Sequence, residues 1–327
     1  MRKLKNFKPI IIIPGDPESI FYEIFIKSLK KIKIISPIIF IGSKKKLIES
    51  MKKFKLKKNI NNLSTDKFFD FSNFDEILIK KTINVIDVNI NHNNISKISK
   101  KKINDYIEKC FEISIKILKS GYTHKFINGP ISKSFLKKKF LGITEYFSSK
   151  FKIQNFAMLI YNKNLAVCPL TTHLPLKMVT KKITKKNIFN KIKLIDNFYR
   201  KNFKLKPKIA VTGLNPHCES IDHFNEDLKI ISPLIKNLKK KHKIYGPIPA
   251  DTIFTKSNRT KYNVILGMYH DQVLAPLKSL YEFDAINITL GLPVVRITPD
   301  HGPNKKFIGK NKSNPISLIR SLQFLDN

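Results

Sequence analysis

Three of the eight histidines in this 327-residue chain each stand just past a short apolar run. The segments are LAVCPLTTH, ending at His173, KIAVTGLNPH, ending at His217, and NVILGMYHDQ, which holds His270. Runs of this kind read as strands, and imidazoles on loops at strand ends can converge on one divalent ion. Neutral imidazole suits zinc and similar metals, and three protein ligands leave coordination positions open for a substrate. The bland alternative is that His173 and His217 satisfy backbone groups beside their neighbouring prolines. His92, His124, His223, His242 and His301 lie in weaker contexts, with His301 in TPDHG as the reserve candidate.

Around these histidines stand groups suited to a small anionic substrate. Lys278 lies eight residues after His270, Asn287 is the second residue of the run INITL, and Arg296 sits inside PVVRIT. An arginine within a β-branched run must face a partner or lose much of its hydration. In a chain that otherwise uses lysine, this suggests bidentate recognition of a phosphate or carboxylate. A structural salt bridge at a sheet edge is the alternative. Asp251 in GPIPADTIF and Asp271 beside His270 either orient ligands or cap loops.

Something must position these groups, and the pattern of the chain supplies it. PIIIIPG (9–15) and SPIIFIGS (36–43) read as strands. Apolar positions from Ile103 through Ile107, Cys110, Phe111, Ile117 and Leu118 follow helical spacing, with Ser114 as the exception and Gly121 as a stop. FINGPISK (126–133) is a strand turning into a loop. Ile188, Ile192, Ile195 and Tyr199 mark a helix before a strand at 208–212. INITL (286–290) and PVVRIT (293–298) are strands, followed by a loop and a short final helix; residues 44–100 are Lys/Asn-rich and poorly patterned. Strand and helix in alternation imply an α/β protein with a largely parallel sheet. No GxGxxG follows the first strand, so a Rossmann dinucleotide site is not expected.

Composition sets the outer bounds. The chain is long enough for two domains. No apolar run approaches the roughly 18 residues of a membrane span, and the basic N-terminus leads into a first strand rather than a secretory signal. Cys110, Cys168 and Cys218 lack any CxxC pairing and read as reduced thiols of a cytoplasmic protein. The net charge of +38 raises nucleic acid as a partner. Only five of the 62 basic residues are arginine, however, and lysine is spread evenly with abundant Ile and Asn, as in an A+T-rich coding sequence. Specific nucleic-acid binding is therefore not expected, though salt-sensitive adhesion to polyanions is.

TTHLPLK (171–177), GLNPH (213–217), GPIPADTIF (246–254), MYHDQVLAPLK (268–278) and NITLGLPVVRITPDHG (287–302), in this order and spacing, resemble the 4-hydroxythreonine-4-phosphate dehydrogenases of vitamin B6 biosynthesis. PGDP (14–17), NGPISK (128–133) and TEYF (144–147) extend the likeness toward the N-terminus. It implies a two-domain, isocitrate/isopropylmalate-dehydrogenase-like α/β/α fold with the active site in the interdomain cleft. One domain would comprise 1–135 plus about 300–327, the other about 136–299. It further implies a homodimer sharing a metal site (zinc, magnesium or cobalt) across its interface, with His173, His217 and His270 as ligands. Substrate contacts would fall on Thr144, Lys278, Asn287 and Arg296. The implied reaction is NAD- or NADP-linked oxidation of 4-phosphooxy-L-threonine, whose β-keto acid product decarboxylates to 3-amino-2-oxopropyl phosphate. A divalent ion would ease loss of the hydroxyl proton, and Lys278 is a candidate proton relay.

The chain departs from that family at definable places. The family's GHTE reads Gly142-Ile143-Thr144-Glu145, so an isoleucine replaces a histidine expected to touch substrate. GDPAGIGPE becomes GDPESIFYE (15–23), and the glycine-rich stretch after GLNPH becomes Cys218, Glu219, Ser220 and Ile221. Beyond Asp300-His301-Gly302, where the family has Thr-Ala and an acid, stand Pro303, Asn304, Lys305 and Lys306.

Overall fold

The computed structural model describes residues 7–64, 74–90, 98–132, 134–136, 140, 142–221 and 224–326. His92, His223 and Lys133 of the sequence reading lie outside the described residues.

The chain divides into two compact units, residues 1–143 with 293–327, and residues 144–292. In the first unit the strands are β1 (Ile10–Ile13), β2 (Ile38–Gly42), β3 (Ile60–Asn62), β4 (Ile83–Asp87), β5 (Lys125–Asn128) and β12 (Val295–Pro299). They lie side by side in the order β3-β4-β2-β1-β5-β12, every pairing parallel. β1 is four consecutive isoleucines, all fully buried, as expected of a strand covered on both faces of a parallel sheet. Helices α1 (Phe21–Lys31), α2 (Lys44–Lys53), α3 (Lys100–Lys119) and the C-terminal Ile316–Asp326 belong to this unit.

The second domain expected to reach about residue 299 ends at residue 292, and β12 lies in the first unit. The reason is backbone pairing: Val295, Arg296 and Ile297 register with Lys125, Phe126 and Ile127 of β5. Helix α3 follows the spacing read from sequence. Ser99 caps it by accepting from the Lys102 amide, and Gly121 follows it at φ +77°. The odd residue, Ser114, is buried but gives its hydroxyl to the Phe111 carbonyl at 2.8 Å, so no polar group is stranded.

The second unit holds β6 (Ala157–Tyr161), β7 (Ala166–Thr171), β8 (Ile209–Thr212), β9 (Ile244–Ile248), β10 (Val264–Tyr269) and β11 (Ile286–Leu290). Their order is β11-β6-β7-β10-β8-β9, parallel except for β6, which runs antiparallel to both β7 and β11. Helices α4 (Ile143–Lys150), α5 (Lys185–Phe203) and α6 (His270–Tyr281) accompany it. Ile188, Ile192, Ile195 and Tyr199 form the buried stripe of α5. The core between β10 and α6 is closed by Ile265, Val273 and Leu277, each fully buried. Among the described residues no helix is long and apolar enough to cross a membrane.

Candidate active site

β7, β10 and β8 are parallel neighbours, with β10 in the middle. Their carboxyl ends therefore point the same way, and the loops leaving that edge carry the three histidines. This is where open α/β sheets present their ligand sites. His173 lies two residues beyond β7, His270 opens α6 directly after β10, and His217 lies five residues beyond β8.

Two of the imidazoles come together. The rings of His173 and His270 have centroids 5.9 Å apart and tilt by 41°. Each ring has a carboxylate at its Nδ1. Asp271 Oδ1 is 2.6 Å from His270 Nδ1, and Glu145 Oε1 is 3.9 Å from His173 Nδ1. Glu145 comes from the first turn of α4 and also accepts the Thr172 hydroxyl at 3.4 Å. Burial opposes its ionisation, but contacts with His173, its own backbone and Thr172 outweigh that and hold the carboxyl below its ordinary range.

His217 is held separately, in a tight turn where it and Cys218 take left-handed backbone angles, φ 55° and 63°. Two such non-glycine residues in succession are costly, on the order of 1–3 kcal/mol each, and persist only where their surroundings over-determine them. Here Asp227, fully buried, accepts from the Leu214 amide at 2.8 Å, the Asn215 amide at 3.1 Å and the Asn215 side chain at 3.0 Å. Gln272 adds a bridge between strand ends: its Nε2 donates to the Gly213 carbonyl, and its Oε1 accepts from the Met268 amide and the Thr212 hydroxyl. Asp251, in the short helix Ala250–Ile253, also faces this turn. Burial first, then Asp227 and Asp251 among its neighbours, push the Cys218 thiol up to about 11.

Among the described residues no three His, Cys, Asp or Glu side chains close into a metal-holding group. The chain thus brings His173 and His270 together without closing His217 into one group with them. The paired donors fit a divalent ion chemically: with Nδ1 facing a carboxylate, the Nε2 atoms make no hydrogen bond to any described residue and stay open to a Lewis acid.

The expected substrate residues come from four different elements. Thr144 is buried on α4, one residue before Glu145, and Ile143 opens that helix. Lys278 projects from α6, its Nζ 5.7 Å from the centre of the Phe283 ring. Asn287 lies on β11 opposite Ile160, and its Oδ1 is buried with no hydrogen-bond partner among the described residues. An open buried acceptor of this kind is uncommon and suits a ligand donor. Arg296 belongs to the first unit and is fully buried. Its Nε donates to Asn128 Oδ1 at 2.8 Å and its guanidinium to Thr298 Oγ1 at 2.5 Å, and both of these partners are neutral.

Glu145, Asp227 and Gln272 escaped the sequence reading. Gln272 had a signal, being two residues past His270 in MYHDQ. Glu145 stands in TEYF with no local cue that it meets His173, 28 residues on. Asp227 stands in NEDLK, ten residues past His217, with no local cue that it accepts from the Leu214 and Asn215 amides.

The model of the family described as pyridoxal phosphate biosynthetic protein PdxA matches residues 33–325. The chain belongs to the PdxA family. It is an enzyme of the dehydrogenase class. Over 323 residues it is 35% identical to the 4-hydroxythreonine-4-phosphate dehydrogenase of Sulfurihydrogenibium sp., covering 96% of each chain. It is 29% identical to the D-threonate 4-phosphate dehydrogenase of Pectobacterium atrosepticum, over 97% of this chain and 98% of the relative. The crystal structure of the 4-hydroxythreonine-4-phosphate dehydrogenase from Klebsiella pneumoniae superposes with a TM-score of 0.78 at 26% identity, covering 97% of this chain and 98% of that one. In this PdxA-family chain the two-unit α/β fold is thus shared with its relatives over nearly the whole length.

Proposed function

We propose that this dehydrogenase oxidises the secondary alcohol of 4-phosphooxy-L-threonine with NAD or NADP, in a homodimer whose divalent metal site includes His173, His270 and His217. The product is 2-amino-3-oxo-4-phosphooxybutanoate, a β-keto acid that loses carbon dioxide to give 3-amino-2-oxopropyl phosphate. The observation that carries the reading is the meeting of His173 and His270 at the carboxyl edge of adjacent parallel strands, each with Nδ1 against a carboxylate. That one chain pairs only two of the three imidazoles fits a site completed by a second copy. Exposed apolar side chains flank both histidine loops: Leu176 and Met178 after His173, and Ile221 and Phe224 after His217. Where such groups join into one contiguous patch, they mark an association surface.

When bound, a zinc, magnesium or cobalt ion supplies Lewis acidity that eases loss of the alcohol proton and steadies the charge released in decarboxylation. The nicotinamide supplies the hydride acceptor. The loop after β1, where a Rossmann site would place its glycines, is closed by its own packing. A side-chain carbon at Gly15 would lie 2.3 Å from the Pro130 carbonyl oxygen, and one at Gly129 would lie 2.1 Å from that of Pro14.

The chain's own groups bind and orient. Lys278 offers a cation to the substrate's anionic groups, and the open Asn287 Oδ1 accepts from its ammonium or hydroxyl. Thr144 adds a hydroxyl on the helix that carries Glu145. A phosphate reaching Arg296 competes with Asn128 and Thr298 for its donors. The relative named D-threonate 4-phosphate dehydrogenase supports a second reading, in which the substrate lacks the amino group. Absorbance at 340 nm decides, with NAD or NADP, each divalent metal in turn, and either phosphorylated acid. Metal-dependent turnover of 4-phosphooxy-L-threonine is the expected result. Turnover of the threonate alone selects the second reading, and none with either substrate rejects both.

A further inference from the structure

The two paired histidines leave a third side chain unaccounted for. Glu145 reaches the His173 loop from another element, α4, with only 18% of its side chain exposed. One carboxylate oxygen faces His173 Nδ1 and the Thr172 hydroxyl; the other is buried with no hydrogen-bond partner among the described residues. A carboxylate so placed has little access to water, and the groups around its engaged oxygen fix where it stands. Its location matters for that reason. Asp271 stands in the same relation to His270, and does so from a different segment. Both rings of the pair therefore meet a carboxylate on the same nitrogen.

In a neutral imidazole, a proton kept on Nδ1 leaves the lone pair on Nε2. Ligating histidines commonly give their second N–H to a carboxylate, which fixes both tautomer and ring orientation. We infer that Glu145 is a positioning residue for His173: it holds the ring as the Nδ1–H tautomer and turns Nε2 toward the ion shared with His270. This rests on the metal reading proposed above. The Thr172 hydroxyl steadies the carboxylate on one side, and the Lys191 cation lies close enough to interact with it. Because Thr144 is the preceding residue of α4, one helical turn sets both the ring's orientation and a group assigned to the substrate.

Cobalt(II) alone is the probe, added to the full-length protein and followed by its visible absorption. Glu145→Gln keeps the shape and removes the charge; it is expected to bind cobalt roughly 10- to 100-fold more weakly. Glu145→Asp should recover part of that loss, with both apo variants melting near the wild type. Wild-type affinity in Glu145→Gln overturns the positioning role and leaves the metal reading standing. A wild type that takes up no cobalt overturns the metal reading and this inference with it. A second measurement needs no stable variant at Glu145. In the 15N spectrum of the apo wild type, with the His173 signal assigned by its loss in His173→Gln, Nδ1 should carry the proton and Nε2 should be bare. A ring protonated on Nε2 overturns the inference.

Discussion

Ile143 stands where the family resemblance implies a histidine that touches substrate. It opens α4, one residue before Thr144 and two before Glu145, and it is only half-buried. A branched hydrocarbon there can pack against a ligand but can neither donate nor accept a hydrogen bond. Against the family's histidine, the missing bond is worth about 1–3 kcal/mol if its ligand partner is left unsatisfied. Ile143→His should therefore raise kcat/KM for 4-phosphooxy-L-threonine roughly 5- to 150-fold, with most of the change in KM. Equal steady-state constants for the two proteins would mean that the substrate never meets this position. His270 calls for a different test, because its Nδ1 is engaged at 2.6 Å by a largely exposed Asp271. His270→Ala should abolish tight metal uptake by the protein, read as metal per chain after gel filtration, while His124→Ala, outside the proposed site, should not.

Helix α1 shows how an element is fixed by charges that its own sequence pattern does not advertise. Glu23 is 3% exposed and accepts from Lys27 at 2.8 Å and from the Ser313 amide at 3.0 Å. Lys27 in turn donates to the carbonyls of Asn311 and Ser313, each at 2.9 Å. Burial opposes the Glu23 charge, but Lys27 and Ser313 overcome it and lower its pKa from the ordinary 4.5. The folded form thus holds its proton less tightly than the unfolded one. The stabilisation is fully present above the unfolded value and is lost as pH falls through the lower, folded one. Glu23→Gln should melt below the wild type at pH 7, and the gap should close as pH falls below about 4. A gap that stays constant down to pH 3 would show that the carboxylate's charge is not what pins α1 to residues 311–313. Elements of this first unit differ in how legible they were. Four isoleucines made β1 plain, and six apolar positions made α3 plain. Helix α2 buries only Leu47 and Met51, one turn apart among lysines, too sparse a stripe to read. The β3 and β4 strands share that lysine- and asparagine-rich region. At the candidate site the strand-end histidines were visible because each follows an apolar run. Glu145 and Asp227 were not, because what they touch is set by tertiary packing and not by local spacing.

Across the whole molecule the dominant fact is a net charge of +38, carried mostly by lysines distributed along the chain. Such a distribution builds a broad positive field instead of a recognition patch, and a field of this kind concentrates small anions near the surface. The proposed substrate carries a phosphate and a carboxylate, so the field should help it arrive without helping its chemistry. The Debye length shortens from about 30 Å at 0.01 M salt to about 8 Å at 0.15 M. Over that range long-range attraction is screened, while contacts inside the site are screened much less. kcat/KM should therefore fall several-fold as salt rises, with kcat nearly constant, when initial rates are taken at fixed pH and saturating nicotinamide. The same field makes the protein adhere to any polyanion, and heparin added at low salt should inhibit competitively. Raising salt to roughly 0.3 M should relieve that inhibition, since non-specific phosphate and sulfate contacts weaken steeply with salt. Inhibition that survives 0.3 M salt would contradict the even spread of charge and would reveal a specific anionic partner. If kcat falls in step with kcat/KM, salt is acting on the site itself, and the long-range field is not what delivers the substrate.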